Sequence, residues 1–239
     1  MCSSDLLSES DALQRLRQDL VANVSHELRT PLTSLRGYAE TLLEGGLEDA
    51  EHREGFVRII RDQAVSLQAL VEDLLSLAEM ERPDATLRLE SFDLRGLVTE
   101  QVGALRDAAR RAQLELVLEP GAAVPVVADR VRLTQAIANL VDNALKYTEQ
   151  GSVRVAVGER DGRAWFEVRD TGSGIPAEDL PRVFERFHRV DKARSRAKGG
   201  TGLGLAIVKH AIGLHGGTVA LESHVGEGST FRFEIPATR

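Results

Sequence analysis

At 239 residues, with 42% hydrophobic and 28% charged side chains, the chain can bury a core and suits one large domain or two small ones. Its formal net charge of −7 argues against a general nucleic-acid or anionic-membrane surface, and Cys2, the single cysteine, excludes an internal disulfide framework and a Cys-rich zinc site. No uncharged apolar run approaches the roughly 18 residues of a membrane span, and residues 1–5 lack signal-peptide features, so the expectation is a soluble chain in a reducing, cytoplasmic compartment with no membrane contact of its own.

From about Asp11 to Arg82 the one proline is Pro31, and the apolar residues recur at helical spacing. Leu13, Leu16, Leu20, Val24, Leu28, Leu32, Leu35, Ala39 and Leu42 form one stripe, ended by the stop signal Glu44-Gly45-Gly46. A second helix is predicted from about Ala50, with Phe56, Ile60, Leu67, Leu70, Leu74 and Leu77 near a seven-residue repeat that polar Gln63 interrupts. Such a hairpin cannot bury both stripes alone, so a second copy completing a four-helix bundle is expected. Pro83-Asp84 reads as a linker, dividing the chain into residues 1–83 and 84–239.

Beyond it the period changes. Leu87-Arg88-Leu89 and Leu114 to Leu118 alternate like strands, and Leu94 to Ala112 and Arg130 to Tyr147 read as helices. Ser152 to Val157 and Ala164 to Val168 are strands joined across Asp161-Gly162, and Thr218 to Ser223 with Thr230 to Ile235 make another pair. The fold class is α+β: an N-terminal helical hairpin forming a dimeric four-helix bundle, then an α/β sandwich whose helices cover one face of a mixed, largely antiparallel sheet.

The chemistry-bearing segments follow the same order. In Val24-Ser25-His26-Glu27-Leu28-Arg29-Thr30-Pro31-Leu32, His26 lies about 200° around the helix from both Val24 and Leu28, away from the apolar stripe. Thr30 shares its face one turn on, Glu27 is adjacent, and Pro31 offers no N–H to the Glu27 carbonyl, which predicts a bend. A lone His-Glu pair of this kind is more often an ordinary solvated surface. On the fourth predicted helix Asn139 and Asn143 are one turn apart, as are Asp142 and Lys146, a mixture of oxygen ligands and a cation that suits magnesium and phosphate. Asp170-Thr171-Gly172-Ser173-Gly174-Ile175-Pro176 follows a strand, with a carboxylate able to accept from an exocyclic amine and glycines that admit a flat ring. Gly199-Gly200-Thr201-Gly202-Leu203-Gly204-Leu205 opens an apolar helix and can cradle phosphate on backbone N–H groups. Between them lie Val183-Phe184-Glu185-Arg186-Phe187 and a basic run with Arg189, Lys192, Arg194, Arg196 and Lys198. Singly, the Asn139 segment is as often an ordinary polar helix face, the Asp170 segment is more often a turn, the glycine-rich stretch is a weak signal, and Phe184, Phe187 and the basic run fit a core and a solvated loop.

Together, in this order and over about Leu13 to Pro236, they resemble the sensor histidine kinases of two-component signalling. SHELRTPL is similar to the family's phospho-acceptor box, NLVDNALKYT to its asparagine box, DTGSGIP and GGTGLGLAIVKH to its two glycine boxes, and FERF to its phenylalanine box. The resemblance implies a protein-histidine kinase with ATP and Mg2+ as cofactors. Asp170 would hold adenine, Asn143 the metal, and Lys146 with the amides around Gly200, Gly202 and Gly204 the phosphates. The implied nucleotide-binding set also includes Asn139, Tyr147, Gly172, Gly174, Ile175, Phe187, Thr201, Leu203, Leu205 and Thr230. His26 would be the nucleophile, Glu27 its orienting base, and Thr30 the residue that positions water to dephosphorylate a partner aspartate.

The implied partners are a second copy, through the hairpin, and the receiver domain of a response regulator; nucleic acid is not one. Such kinases usually carry a sensor and often membrane spans upstream, so the chain is read as a catalytic core whose parent protein can be membrane-anchored. Clamp ATPases similar to gyrase and the heat-shock chaperones share the ATP fold but carry a water-activating glutamate where this chain has Asn139, which disfavours hydrolysis. A Ser/Thr kinase on the same fold leaves the His26 hairpin unexplained, and a pure dimerisation scaffold should bind no nucleotide.

Overall fold

The computed structural model describes residues 3–82, 84–191 and 200–237, with side chains described from residue 22 onward. Pro83, Gly199, Lys192, Arg194, Arg196 and Lys198 therefore lie outside the described residues, as do the side chains of Leu13, Leu16 and Leu20. The chain forms two compact units, Met1–Glu72 and Asp73–Arg239.

In the first unit, helix α1 (Ser3–Thr41) runs unbroken through Pro31. The proline removes one bond, that to the Glu27 carbonyl, and the Thr30 hydroxyl donates to the His26 carbonyl at 3.4 Å. A short π-helical turn, Leu42–Gly46, ends α1, with Gly45 at φ 120 where a side chain would be strained. Helix α2 (Arg53–Met80) starts later than its sequence suggests. Asp49 explains the delay: its carboxylate accepts the Glu51 and His52 N–H groups, both at 3.1 Å, and holds a turn before the helix. Tyr38 and Phe56 meet across the hairpin with ring centroids 5.7 Å apart. Leu32, Val57 and Val65 remain exposed on it.

The second unit, which includes the last turns of α2, is built on a five-stranded sheet. Its strands are β2 (Glu115–Leu118), β4 (Ser152–Arg160), β5 (Arg163–Asp170), β6 (Thr218–His224) and β7 (Gly228–Pro236), in the order β2-β4-β5-β7-β6. The β2–β4 pair is parallel and the others antiparallel. A separate antiparallel pair joins β1 (Leu89–Asp93) to β3 (Pro125–Asp129). The predicted strand at Leu87 is thus displaced: it begins at Leu89, where pairing with Asp129 begins.

Helices α3 (Leu94–Arg111), α4 (Arg130–Tyr147) and α5 (Gly204–Leu214) carry the apolar stripes that cover the sheet. Asp93 and Asp129 cap α3 and α4, accepting the Arg95 and Gly96 N–H groups and the Arg132 N–H group respectively. Along β4, β5 and β7 burial alternates, so Val153, Val155, Phe166, Val168, Phe233 and Ile235 face the core with Leu133, Ile137, Leu140, Ile207 and Ile212. His215 is a structural core histidine: its Nε2 accepts the Asp129 N–H at 2.9 Å, and its Nδ1 donates to the Ala211 carbonyl at 2.7 Å. At the centre, Phe166 is fully buried and stacks on Phe233 with centroids 5.1 Å apart. Phe166→Ala should therefore cost about 3–5 kcal/mol, read as a lower urea midpoint at an unchanged m-value.

Candidate functional site

Two sites emerge, one in each unit. On α1 the His26 side chain is 67% exposed, and its Nδ1 lies 3.9 Å from Glu27 Oε1, whose side chain is 22% exposed. Thr30 is exposed one turn further along the same helix. The imidazole stands largely in solvent with one nitrogen turned toward an acid.

In the second unit α4 is the common floor. Near its middle, the Asn139 amide donates to the Gly204 carbonyl at 3.3 Å, tying α4 to the first residue of α5. Asn143, half-buried, follows one turn on, and Lys146 sits 2.7 Å from Asp142 as the spacing predicts. At the C-terminal end of α4 the Tyr147 carbonyl accepts the Ser173 N–H at 3.2 Å, and a Cβ at Gly172 would overlap that carbonyl. The loop after β5 therefore lies across the end of α4, and only glycine permits the approach at 172.

Asp170 ends β5 at 5% exposure. Its Oδ1 accepts two backbone N–H groups, from Gly172 at 2.8 Å and Ser229 at 3.3 Å, so Oδ2 is the oxygen left for a further donor. Burial pushes this carboxyl above the usual carboxylate range, and the two N–H groups pull it partly back. Gly174, at φ 66, has no room for a side chain beside the His224 carbonyl, Ile175 follows half-buried, and Thr230 lies on β7 opposite Arg169.

The phenylalanine and second glycine segments meet each other. Phe187, at φ 61, donates its N–H to the Gly202 carbonyl at 2.8 Å. Thr201 Oγ1 donates to Asp73 Oδ2 at 2.7 Å and accepts the Leu203 N–H at 3.2 Å. Leu203 is fully buried, and Gly200 and Leu205 flank it, both half-buried. Gly202 adopts φ 73, and a Cβ there would come within 3.0 Å of Phe187 Cα and 3.2 Å of Arg189 Nε. Gly202→Ala should distort this stretch, because a non-glycine left-handed residue alone costs about 1–2 kcal/mol; if the stretch cradles phosphates as its sequence suggests, calorimetry should show ATP binding weakened about ten-fold.

Among the described residues no group of three His, Cys, Asp or Glu side chains gathers as a metal cage. Magnesium that arrives with a nucleotide needs only one or two protein oxygens, since phosphates and water complete its shell. The Asn143 carboxamide fits that need. Two contributors escaped the sequence reading, the buried hydroxyls of Ser223 and Ser229 below the Asp170 loop; the only sequence signal was a serine on either side of the glycines at 226 and 228.

A buried carboxylate, a glycine-rich stretch at a helix start and a helix bearing amide, acid and ammonium groups fit a nucleotide-binding α/β sandwich. Residues 128–239 match the family of histidine kinase-, DNA gyrase B- and HSP90-like ATPases, and residues 16–83 match the His Kinase A (phospho-acceptor) domain. The chain is 40% identical over 230 residues to the sensor-like histidine kinase SenX3 of Mycolicibacterium smegmatis, covering 96% of this chain and 60% of that one. Among solved structures it is similar to the Acinetobacter baumannii histidine kinase AdeS, at 30% identity and a TM-score of 0.73, covering 89% of this chain and 98% of that one. It also resembles the histidine kinase ThkA in complex with the response regulator protein TrrA, at 26% identity and a TM-score of 0.77, covering 100% of this chain and 67% of that one. The chain belongs to the sensor histidine kinases, with an ATP-binding domain and a phospho-acceptor helical domain. It spans 31% to 60% of the length of its curated relatives at this level of similarity. Among the described residues no helix is long and apolar enough to cross a membrane.

Proposed function

We propose that the chain transfers the γ-phosphoryl group of ATP to His26 and then passes it to an aspartate of a response-regulator receiver domain. The observation that carries this reading is the exposed imidazole beside Glu27 on α1, in a chain that also holds an ATP-binding domain. Nδ1 is the nitrogen near Glu27, so Nε2 attacks: the N–P bond forms, the bond from phosphorus to the β-phosphate bridge oxygen breaks, ADP leaves, and the Nδ1 proton passes to Glu27. Asp170 accepts from the adenine amine, and Lys146 with the amides of the Gly200 to Gly204 stretch holds the phosphates. Asn139, Tyr147, Gly172, Gly174, Ile175, Phe187, Thr201, Leu203, Leu205 and Thr230 complete the nucleotide pocket. Asn143 would hold Mg2+, which when bound would neutralise charge on the phosphates. The domain division proposed is 1–83 for dimerisation and phospho-acceptance and 84–239 for ATP binding.

Exposed Leu32, Val57 and Val65 support a homodimer through the hairpin, since apolar side chains on helices of this period are covered by a second pair in a bundle. The ThkA complex with TrrA supports a response regulator as partner. The test is incubation with γ-labelled ATP and magnesium: the expected product carries label that acid removes and alkali leaves. Label stable to acid, or none, overturns the reading.

Thr30 divides two activities on one helical turn. Its hydroxyl has no part in the attack on ATP but can orient water toward a phosphorylated aspartate. Thr30→Ala should keep most autophosphorylation and lose about ten-fold or more in phosphatase rate toward the phosphorylated regulator, a typical scale for a lost positioning hydrogen bond. A parallel loss of both rates, measured on one purified preparation, contradicts the division.

A further inference from the structure

The loop from Asp170 to Ile175 rests on the turn between β6 and β7. A Cβ at Gly174 would overlap the His224 carbonyl, and one at Gly228 would overlap the Asp170 carbonyl. Two backbones this close leave no space for side chains to lock them together, so hydrogen bonds must do it. Gly226 donates its N–H to the Ser173 carbonyl at 2.9 Å. The deeper link is Ser223, at 8% exposure on β6: its Oγ accepts the Ile175 N–H at 2.8 Å. The same oxygen lies 3.0 Å from the Gly228 carbonyl and 2.9 Å from the Ser229 hydroxyl, itself 7% exposed. A hydroxyl has one proton and two acceptor sites, so all three contacts are met when Ser223 donates to Gly228 and accepts from Ser229. Ser229 in turn gives its backbone N–H to Asp170 Oδ1. A continuous chain of hydrogen bonds therefore runs from the far end of the glycine loop, through two buried hydroxyls, to the carboxylate.

We infer that Ser223 is the positioning residue for adenine recognition: it touches no nucleotide, but it fixes the loop and turn that aim Asp170 Oδ2. This rests on the reading of Asp170 as the adenine acceptor. With Oδ1 pinned by two N–H groups, the direction of Oδ2 is set, and a 6-amino group meets it as donor to acceptor. A purine without a 6-substituent makes no such bond, so the preference for ATP over purine riboside triphosphate reports the alignment of that one contact. Without the Ser223 hydroxyl, the half-buried Ile175 N–H and the buried Ser229 hydroxyl lose their partner, and the loop shifts to recover one. Alignment then degrades while the phosphate cradle, built on Gly200 to Gly204, is untouched.

The test is calorimetric binding of both nucleotides, with magnesium, to the whole chain and its variants. Ser223→Ala should weaken ATP about ten-fold and purine riboside triphosphate about two-fold or less, and Ser223→Thr, which keeps the hydroxyl, should retain the ATP preference. Parallel weakening of both nucleotides means that the hydroxyl only holds the fold, and no change in either means that it does nothing; each overturns the inference. Should the alanine variant fail to fold, Ser223→Cys, with a poorer acceptor of similar size, must show the same selective loss in smaller degree. Asp170→Asn separates the two claims. If Asp170→Asn keeps the ATP preference, the reading of Asp170 fails. If Asp170→Asn abolishes it but Ser223→Ala does not, the Ser223 inference alone fails.

Discussion

His26→Gln is expected to take up no alkali-stable label from γ-labelled ATP while binding the nucleotide as tightly as the parent. Glutamine keeps a polar side chain of similar length on an exposed helical position, so α1 is not disturbed, but it has no nitrogen lone pair able to attack phosphorus. The proposed nucleotide-binding residues all lie in the second unit, between Asn139 and Thr230, so on that proposal binding and labelling separate in this variant. Labelling by gel autoradiography and ATP affinity by calorimetry on the same preparation check both halves. Residual alkali-stable label would assign the nucleophile to another residue.

Asp170→Asn is expected to weaken ATP about 10- to 100-fold, the scale of a hydrogen bond to a buried charged acceptor, and to strengthen inosine triphosphate. The two N–H groups from Gly172 and Ser229 hold the carbonyl oxygen of the new amide where Oδ1 was. Its NH2 then falls in the place of Oδ2, a donor facing the adenine amine but matched to a 6-oxo group. The same substitution has a second consequence through pH. Burial raises the Asp170 carboxyl in the folded state, whereas an unfolded Asp ionises near about 3.9, so between those values the folded chain holds the proton and the unfolded chain does not. This group's contribution to stability is present at low pH and is lost as pH rises through the raised value. At neutral pH, above the unfolded value, the folded protein therefore carries the cost of burying this carboxyl. Asp170→Asn should unfold no earlier than the parent at pH 7 in urea, despite its binding defect; a lower midpoint with unchanged ATP affinity would contradict both statements.

What the sequence made legible follows from which interactions are local. The stripes of α3 and α4 and the Asp161-Gly162 turn between β4 and β5 repeat within a few residues, and their elements formed where periodicity and turn chemistry put them. Pro125 to Asp129 went unread as a strand, because a five-residue segment beginning at proline carries no period, and it is extended only through pairing with β1. That pairing also moved β1 along the chain from Leu87. The proposed sites were read as five separate segments, since each keeps its chemistry within one turn or loop. Their joints were not: the Phe187 N–H bond to the Gly202 carbonyl, the Asn139 bond to Gly204 and the Ile175 N–H bond to the Ser223 hydroxyl exist only through contacts between residues far apart in sequence.

The most direct measurement of the central claim is mass-spectrometric mapping of the phosphoryl group, with 31P resonance assignment of the phosphorylated atom, after incubation with ATP and magnesium at neutral pH. The account predicts a single phosphoramidate on His26 Nε2, lost in the His26→Gln variant; a phosphate ester on serine or threonine, or steady release of inorganic phosphate with no covalent adduct, would contradict it.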